Sequence, residues 1–321
     1  MHGDDLARST QRFIKLLRPE NAGAMAATAI TWLKAPPYLP QPRKALRPFP
    51  AAPASLGRMG ALEVRLATEK RDVRHAQKLR YRVFYKNGTA VADAATMLAR
   101  RDKDGYDKIC DHLLVVDHAA KPTLSGKQPV VGTYRLLRQE LADRHGGFYT
   151  DNEFDLSGMI AQHPGMRFLE LGRSCVLPRY RNKRTVELLW QGIWNYVRQY
   201  DVDVMIGCAS FEGTDPDRLA LPLSFLHHHA AAPEEWRARA HSSRRIEMNR
   251  MAKDAIDPKA ALRELPPLIK GYLRVGAMVG DGAVIDYQFG TTDVLIVMPV
   301  AAIKGRYIEH FGGSDAPRHA A

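Results

Sequence analysis

Polar and apolar residues alternate over residues 62–67, the period of a half-buried strand. Residues 72–85 then change to helical spacing, with Val73, Ala76, Leu79, Val83 and Phe84 near one side. Two apolar runs, 112–117 and 130–137, flank a turn rich in Pro, Ser and Gly and predict a hairpin. After a loop over 146–157, residues 168–176 read as a strand that enters a basic turn at 178–184. Val186, Leu189, Trp190, Ile193, Trp194 and Val197 predict a helix over 185–200. The remainder predicts a strand at 202–208, a turn at 209–216, a helix near 218–229 and a charged connection at 236–250. A block at 265–277, a strand at 292–298 and a short helix ending near Phe311 close the chain. This order describes one α/β domain with a mixed sheet.

A length of 321 residues with 45% hydrophobic composition is enough for a sizeable core. The net charge of +12 adds a preference for an acidic partner without choosing among nucleic acid, an anionic membrane face and an acidic protein. No nucleic-acid reading motif accompanies it, so no nucleic-acid partner is expected. Residues 1–60 hold nine Lys or Arg against three acidic residues and include a proline-rich piece at 35–53, which marks an extension ahead of a domain at 61–312 and a tail at 313–321. Residues 12–18 suit either a short basic amphipathic helix on anionic lipid or a mobile tail. Cys110, Cys175 and Cys208 are too few and too scattered for a disulfide framework, and no apolar run spans a bilayer. A cytoplasmic location is expected, with peripheral contact to the inner membrane open.

Candidate chemistry gathers at the strand 168–176. Glu170 and Arg173 sit inside an apolar run, where an unpaired charge is costly to bury, so a polar partner must meet them. Arg179, Arg181, Lys183 and Arg184 lie at the mouth of the following helix, a geometry suited to a phosphate. A core strand with one internal salt bridge and a solvated turn fits the same residues. Residues 79–85, with Arg82 and Phe84, suit an acyl chain and a phosphate, or a helix docking on its own sheet. The acidic piece at 104–111 suits a cationic substrate or a solvated turn. Adjacent histidines at 227–229 point in different directions on a helix, and no metal is expected.

The element order resembles the GNAT acyltransferase fold, an α/β fold with a mixed central sheet. Arg82 with Phe84, Asp104 with Asp107, the strand at 131–137, Phe154 and the Glu170–Arg173 pair resemble the landmarks of acyl-homoserine-lactone synthases. Residues 170–176, the Tyr180–Arg181 turn, 189–192, 213–216 and 265–274 look still more like the ornithine N-acyltransferases, often labelled haemolysin-like. The resemblance covers roughly residues 62–312. One departure stands out: the pyrophosphate loop usual in GNAT enzymes, R-x-x-G-x-G/A, is absent, since 179–184 contains no glycine. That speaks for an acyl carrier protein, rather than coenzyme A, as donor.

What the resemblance implies is transfer of a 3-hydroxyacyl group from acyl carrier protein to the α-amine of L-ornithine, giving lyso-ornithine lipid. No cofactor is implied beyond the phosphopantetheine thioester that serves as co-substrate. Glu170 is then expected as base, directly or through water, with Arg173 pairing with it or holding the amino acid's carboxylate. Asp107 and Asp111 become candidates for ornithine's ammonium groups, braced by Arg135, and the four cations of the turn for the donor's arm or its protein. Phe84, Phe148 and Phe154 are candidates for lining the acyl chain, and Cys175 is expected to be a packed thiol. Three rivals remain: homoserine-lactone synthesis, a non-catalytic membrane-disrupting protein, and a glycerolipid O-acyltransferase suggested by His112, Asp117 and residues 211–214. The last fails if 112–117 is a strand, because positions five apart then face opposite ways.

Overall fold

In the computed structural model the described residues are 55–303, apart from 124, 125 and 127. The amphipathic segment at 12–18, the proline-rich piece at 35–53, the short helix ending near Phe311 and the tail at 313–321 lie outside the described residues.

Eleven strands form the sheet: β1 (Ser55–Met59), β2 (Leu62–Leu66), β3 (Asp111–Asp117), β4 (Val130–Arg138), β5 (Phe154–Asp155), β6 (Phe168–Val176), β7 (Val204–Glu212), β8 (Arg239–Ala240), β9 (Arg245–Ile246), β10 (Met278–Asp286) and β11 (Thr291–Pro299). Their order is β1-β2-β3-β4-β6-β7-β11-β10-β8-β5, with β9 beside β10. β3 and β4 are the expected antiparallel hairpin. β6 runs antiparallel to β4 and parallel to β7, which makes the sheet mixed.

Eight α-helices accompany it among the described residues: α1 (Lys70–Tyr81), α2 (Ala94–Ala99), α3 (Gln139–Ala142), α4 (Ser157–Gln162), α5 (Lys183–Gln199), α6 (Ala220–His229), α7 (Pro258–Glu264) and α8 (Pro267–Val275). The stripe on α5 buries Leu189, Trp190, Ile193, Trp194 and Val197, while Val186, counted with that stripe, is exposed. Asn182 caps α5 by accepting from Thr185 N–H at 3.1 Å. A Cβ on Gly192 would stand 2.6 Å from Val64 Cγ2, so this glycine lets α5 lie flush on β2.

Several boundaries differ from the sequence reading. The helix expected over 72–85 ends at Tyr81 and gives way to a π-helical turn, Arg82–Lys86. The sheet begins before residue 61, because β1 pairs with β2 and buries Leu56. Residues 209–212, expected in a turn, extend β7, held by a nine-residue antiparallel register with β11. β10 was not anticipated, since Gly280, Asp281 and Gly282 interrupt its apolar pattern.

One core cluster gathers Leu113, Leu136, Leu169, Leu188, Ile193, Phe211, Ile269 and Ile296. A second gathers Leu137, Phe148, Phe154, Phe168, Ile206, Val284 and Leu295. Glu170 is in register with both Leu137 and Ile206, which places its side chain on the face of the second cluster.

Candidate active site

β6 and β7 share register over three positions, ending at Glu170 opposite Ile206. At the point of parting, a Cβ on Gly207 would stand 2.4 Å from Leu171 carbonyl oxygen, so only a glycine tolerates that approach. Beyond it β6 stays paired with β4 but has no register with β7. Two residues of β6, Arg173 and Ser174, oppose one of β4, and Arg173 takes a φ of 49° at this bulge. The result is a notch between two strands, opening beyond Glu170, with Arg173 on its β6 side. The basic turn follows at the same end of β6, through a 3-10 turn (Pro178–Tyr180) into the N-terminus of α5.

Arg173 does not pair with Glu170. Its Nε lies 3.4 Å from Asp102 Oδ2 and its Nη2 3.5 Å from Asp104 Oδ2. Its guanidinium stacks 4.6 Å from the centre of the Tyr149 ring and 4.7 Å from that of Phe289. Burial opposes its charge, yet Tyr149, Asp102 and Asp104 hold its pKa above the ordinary arginine value.

Arg80 of α1, fully buried, donates through both Nη atoms to Asp107 at 2.8 Å and lies 2.8 Å from Asp102 Oδ2. Arg135 donates to both oxygens of Asp104, at 2.7 and 2.6 Å. Three arginines and three aspartates thus form a balanced network. Asp107 also accepts from Gln77 at 2.9 Å. Burial works against its ionised form, but the Arg80 hydrogen bonds prevail and lower its pKa to about 2.

Glu170 is buried, and its oxygens accept from Tyr149 N–H at 3.0 Å, Thr150 N–H at 2.7 Å and Thr150 Oγ1 at 2.5 Å. Burial outweighs these donors and raises its pKa. The carboxylate thereby fixes the turn Tyr149–Asn152, which carries the aromatic wall of Arg173.

The other expected residues divide. Phe84 meets the edge of Phe289, with ring centres 5.6 Å apart, and so reaches the site, whereas Arg82 is exposed on the π-helical turn. Asp111 stands on the opposite face of the sheet from Arg135 and Asp107's partners: it is in register with Leu136, and Tyr196 of α5 donates to it at 2.6 Å. The structure therefore separates Asp111 from Asp107. Arg179, Arg181, Lys183 and Arg184 are all exposed. Phe148 and Phe154 are buried in the second core. Residues 112–117 do form a strand; His112 lies against Asp107 carbonyl oxygen at 3.1 Å, and Asp117 accepts from Tyr180 Oη at 2.6 Å, so the two form no dyad. Burial pushes the Cys175 thiol up to about 12, which leaves it protonated and packed.

Sequence reasoning missed a second acidic group. Oxygens of Glu153, Asp286 and Asp293 lie within 4.8 Å of one another. They come from a loop, the end of β10 and the start of β11, and no spacing in the sequence links them. Burial and the neighbouring Asp293 raise Glu153 to about 7, and burial raises Asp293 to about 6. A cleft of about 570 Å³ lies elsewhere, around Phe168 at the start of β6, and is lined by Arg138, His163, Arg167 and Tyr200.

Residues 79–191 match the family model of the acetyltransferase (GNAT) domain. The chain is 53% identical over 257 residues to the L-ornithine N(alpha)-acyltransferase of Agrobacterium fabrum (strain C58 / ATCC 33970), an alignment spanning 80% of this chain and 87% of that protein. It is 52% identical over 275 residues to the L-ornithine N(alpha)-acyltransferase of Rhizobium meliloti (strain 1021), spanning 85% and 92%. Among solved structures, the acyl-homoserine-lactone synthase LasI aligns with a TM-score of 0.39 at 12% identity, over 76% of this chain and 95% of that one.

Proposed function

Because this chain belongs to the family of L-ornithine N(alpha)-acyltransferases, GNAT-fold enzymes, we propose that it moves a 3-hydroxyacyl group from acyl carrier protein to the α-amine of L-ornithine. The product is lyso-ornithine lipid, and the step opens ornithine lipid synthesis. The observation that carries this reading is the notch between β6 and β7, with a basic turn at its mouth and Arg173 on its wall.

A thioester is already activated, so alignment and proton transfer are what the enzyme must supply. The donor's phosphopantetheine arm enters the notch past Arg179, Arg181, Lys183 and Arg184. Backbone N–H groups of β6 that face the notch stabilise the oxyanion as the amine attacks the carbonyl carbon. The C–N bond forms, the C–S bond breaks, the amine gives up one proton and the departing sulfur gains one. With neutral thiols at Cys175, which is buried, and Cys208, which is half-buried, direct transfer is favoured over an acyl-cysteine intermediate.

Glu170 is the proposed proton acceptor, directly or through water, since it sits where the strands part and its pKa is raised. Its three donors from Tyr149 and Thr150 favour a second reading, in which it positions the Tyr149 turn. Glu170→Gln separates them: a base gives a large fall in kcat with loss of the acidic limb of the pH profile, a positioning group a fall at all pH values. The function itself is tested by incubating purified protein with 3-hydroxyacyl carrier protein and L-ornithine, beside parallel reactions with S-adenosylmethionine and glycerol phosphate. Acyl-ornithine is expected by mass spectrometry; a lactone, a glycerolipid or no product overturns the proposal.

A further inference from the structure

The acidic group of Glu153, Asp286 and Asp293 differs from the network around Arg80. There, every aspartate meets an arginine within 3.6 Å, and three positive charges offset three negative ones. Here the nearest cation is Arg244, 3.9 Å from Glu153 Oε1, and Arg173, whose charge also reaches Asp293, is already shared between Asp102 and Asp104. Glu153 is 3% exposed and Asp293 7%; Cys208 lies beside the first and Ser210 and Thr291 beside the second, yet Glu153 Oε2 and Asp293 Oδ1 are buried without a hydrogen-bond partner. Unpartnered buried carboxylate oxygens are expensive, and in native proteins they call for a ligand or a function.

The same two loops that build the wall around Arg173 also carry two of these carboxylates, while Asp293 stands on β11. Glu153 follows the turn bearing Tyr149, and Asp286 opens the turn bearing Phe289, whose N–H donates to Asp286 Oδ1 at 3.0 Å. Arg244 ties the loops together from outside, donating to Asn152 carbonyl oxygen at 2.8 Å and to Ile285 carbonyl oxygen at 3.4 Å, one residue before each carboxylate. Cys208 connects the group to Glu170 through Thr150 Oγ1, at 3.8 Å. Asp286, half-buried, forms the open side.

We propose that Glu153, Asp286 and Asp293 form the pocket for the terminal ammonium of the acceptor amino acid, so that the α-amine is the one left free to react. The inference rests on the acyl-transfer reading above and assigns the site that selects a diamino acid. A –NH3+ group offers three donors, and three converging carboxyl groups match them in number and carry the opposite charge. The expected Asp107 is unsuited to this task, because Arg80 and Gln77 already occupy its oxygens.

The test compares L-ornithine with L-norvaline, whose side chain ends in methyl where ornithine carries its aminomethyl group. For the full chain with saturating acyl donor, the ratio of kcat/KM values favours ornithine; Glu153→Gln, Asp293→Asn and Asp286→Asn each lower that ratio at least ~10-fold, the weight of a charge-assisted hydrogen bond. Calorimetric titration of ornithine into the same proteins gives a readout without turnover and is expected to show the same loss, and thermal melts confirm that each variant folds. Acyl-ornithine formation by the parent protein with the preference unchanged in all three variants overturns this inference and leaves the proposed function standing. Ornithine binding that depends on the three carboxylates, without acyl transfer, does the reverse. A parallel titration with MnCl2 covers the alternative: Mn2+ binding abolished by Glu153→Gln while ornithine binding persists makes the group a metal site and overturns the proposal.

Discussion

Glu153 illustrates how a single residue links stability to function. Its pKa is raised from 4.5 to about 7 by burial and by Asp293, so the folded protein holds a proton there that the unfolded chain releases. The folded state binds more protons across that interval, and stability therefore falls as pH rises from about 4.5 to about 7. Glu153→Gln removes this slope: its melting temperature at neutral pH should exceed the parent's, and the difference should vanish at acidic pH. Asp293, Asp286, Cys208 and Arg244 all face this group, so its titration is read as a set rather than as one residue. Equal melting curves for parent and variant across pH would sink the argument. Asp107 works with the opposite sign: its pKa is lowered to about 2, and its contribution is present above the ordinary aspartate value and lost only as pH falls toward 2. At this scale the sequence exposed Glu170, Arg173 and Asp107, because a charge inside an apolar run or an acidic piece in a basic chain is a local anomaly. It did not expose Glu153 or Asp293, whose surroundings are built from segments some 140 residues apart.

Among the elements, the hinge of the site is the three-residue register of β6 with β7 and the glycine where it ends. A methyl group at residue 207 meets backbone, the Leu171 carbonyl oxygen at 2.4 Å, which cannot rotate away as a side chain would. Gly207→Ala should therefore push the strands apart, destabilise the protein by about 1–3 kcal/mol, the cost usual for overpacking, and lower kcat more than the KM of either substrate. Gly57 offers the contrast: a Cβ there meets the flexible end of Gln191, so Gly57→Ala should cost far less. Denaturant melts of both variants decide between them; similar losses would show that the tight contact at residue 207 is not special. Strands with clean apolar runs, β3, β4, β6 and β11, were legible from periodicity. β10 was not, because its glycines and Asp281 break the pattern, and neither was the far half of β7, where Ser210 and Glu212 mimic a turn. Pairing with β11 supplies what local propensity lacks.

Across the whole molecule, a net charge of +12 poses a problem for an enzyme whose proposed acceptor is itself cationic. The long-range field favours an acidic donor and disfavours ornithine, so attraction for the acceptor has to be local and shielded from that field. The balanced Arg80 network neutralises its own arginines, while the carboxylates of Glu153, Asp286 and Asp293 keep a negative excess inside the fold. At physiological ionic strength screening acts over roughly 8 Å, so salt should weaken the exposed surface far more than the buried pocket. The two substrates are then expected to respond differently. Raising salt should raise the KM for acyl carrier protein steeply and the KM for ornithine little. Replacing Arg179, Arg181, Lys183 and Arg184 together by Ser should raise the KM for the carrier-linked donor at least ~10-fold and flatten its salt dependence, since surface charges act chiefly on encounter. An acyl-pantetheine donor, which lacks the acidic protein, should be affected much less by the same replacement. If the two donors lose equally, the basic turn holds the arm rather than the protein; if neither loses, the charge of this face serves something other than the donor.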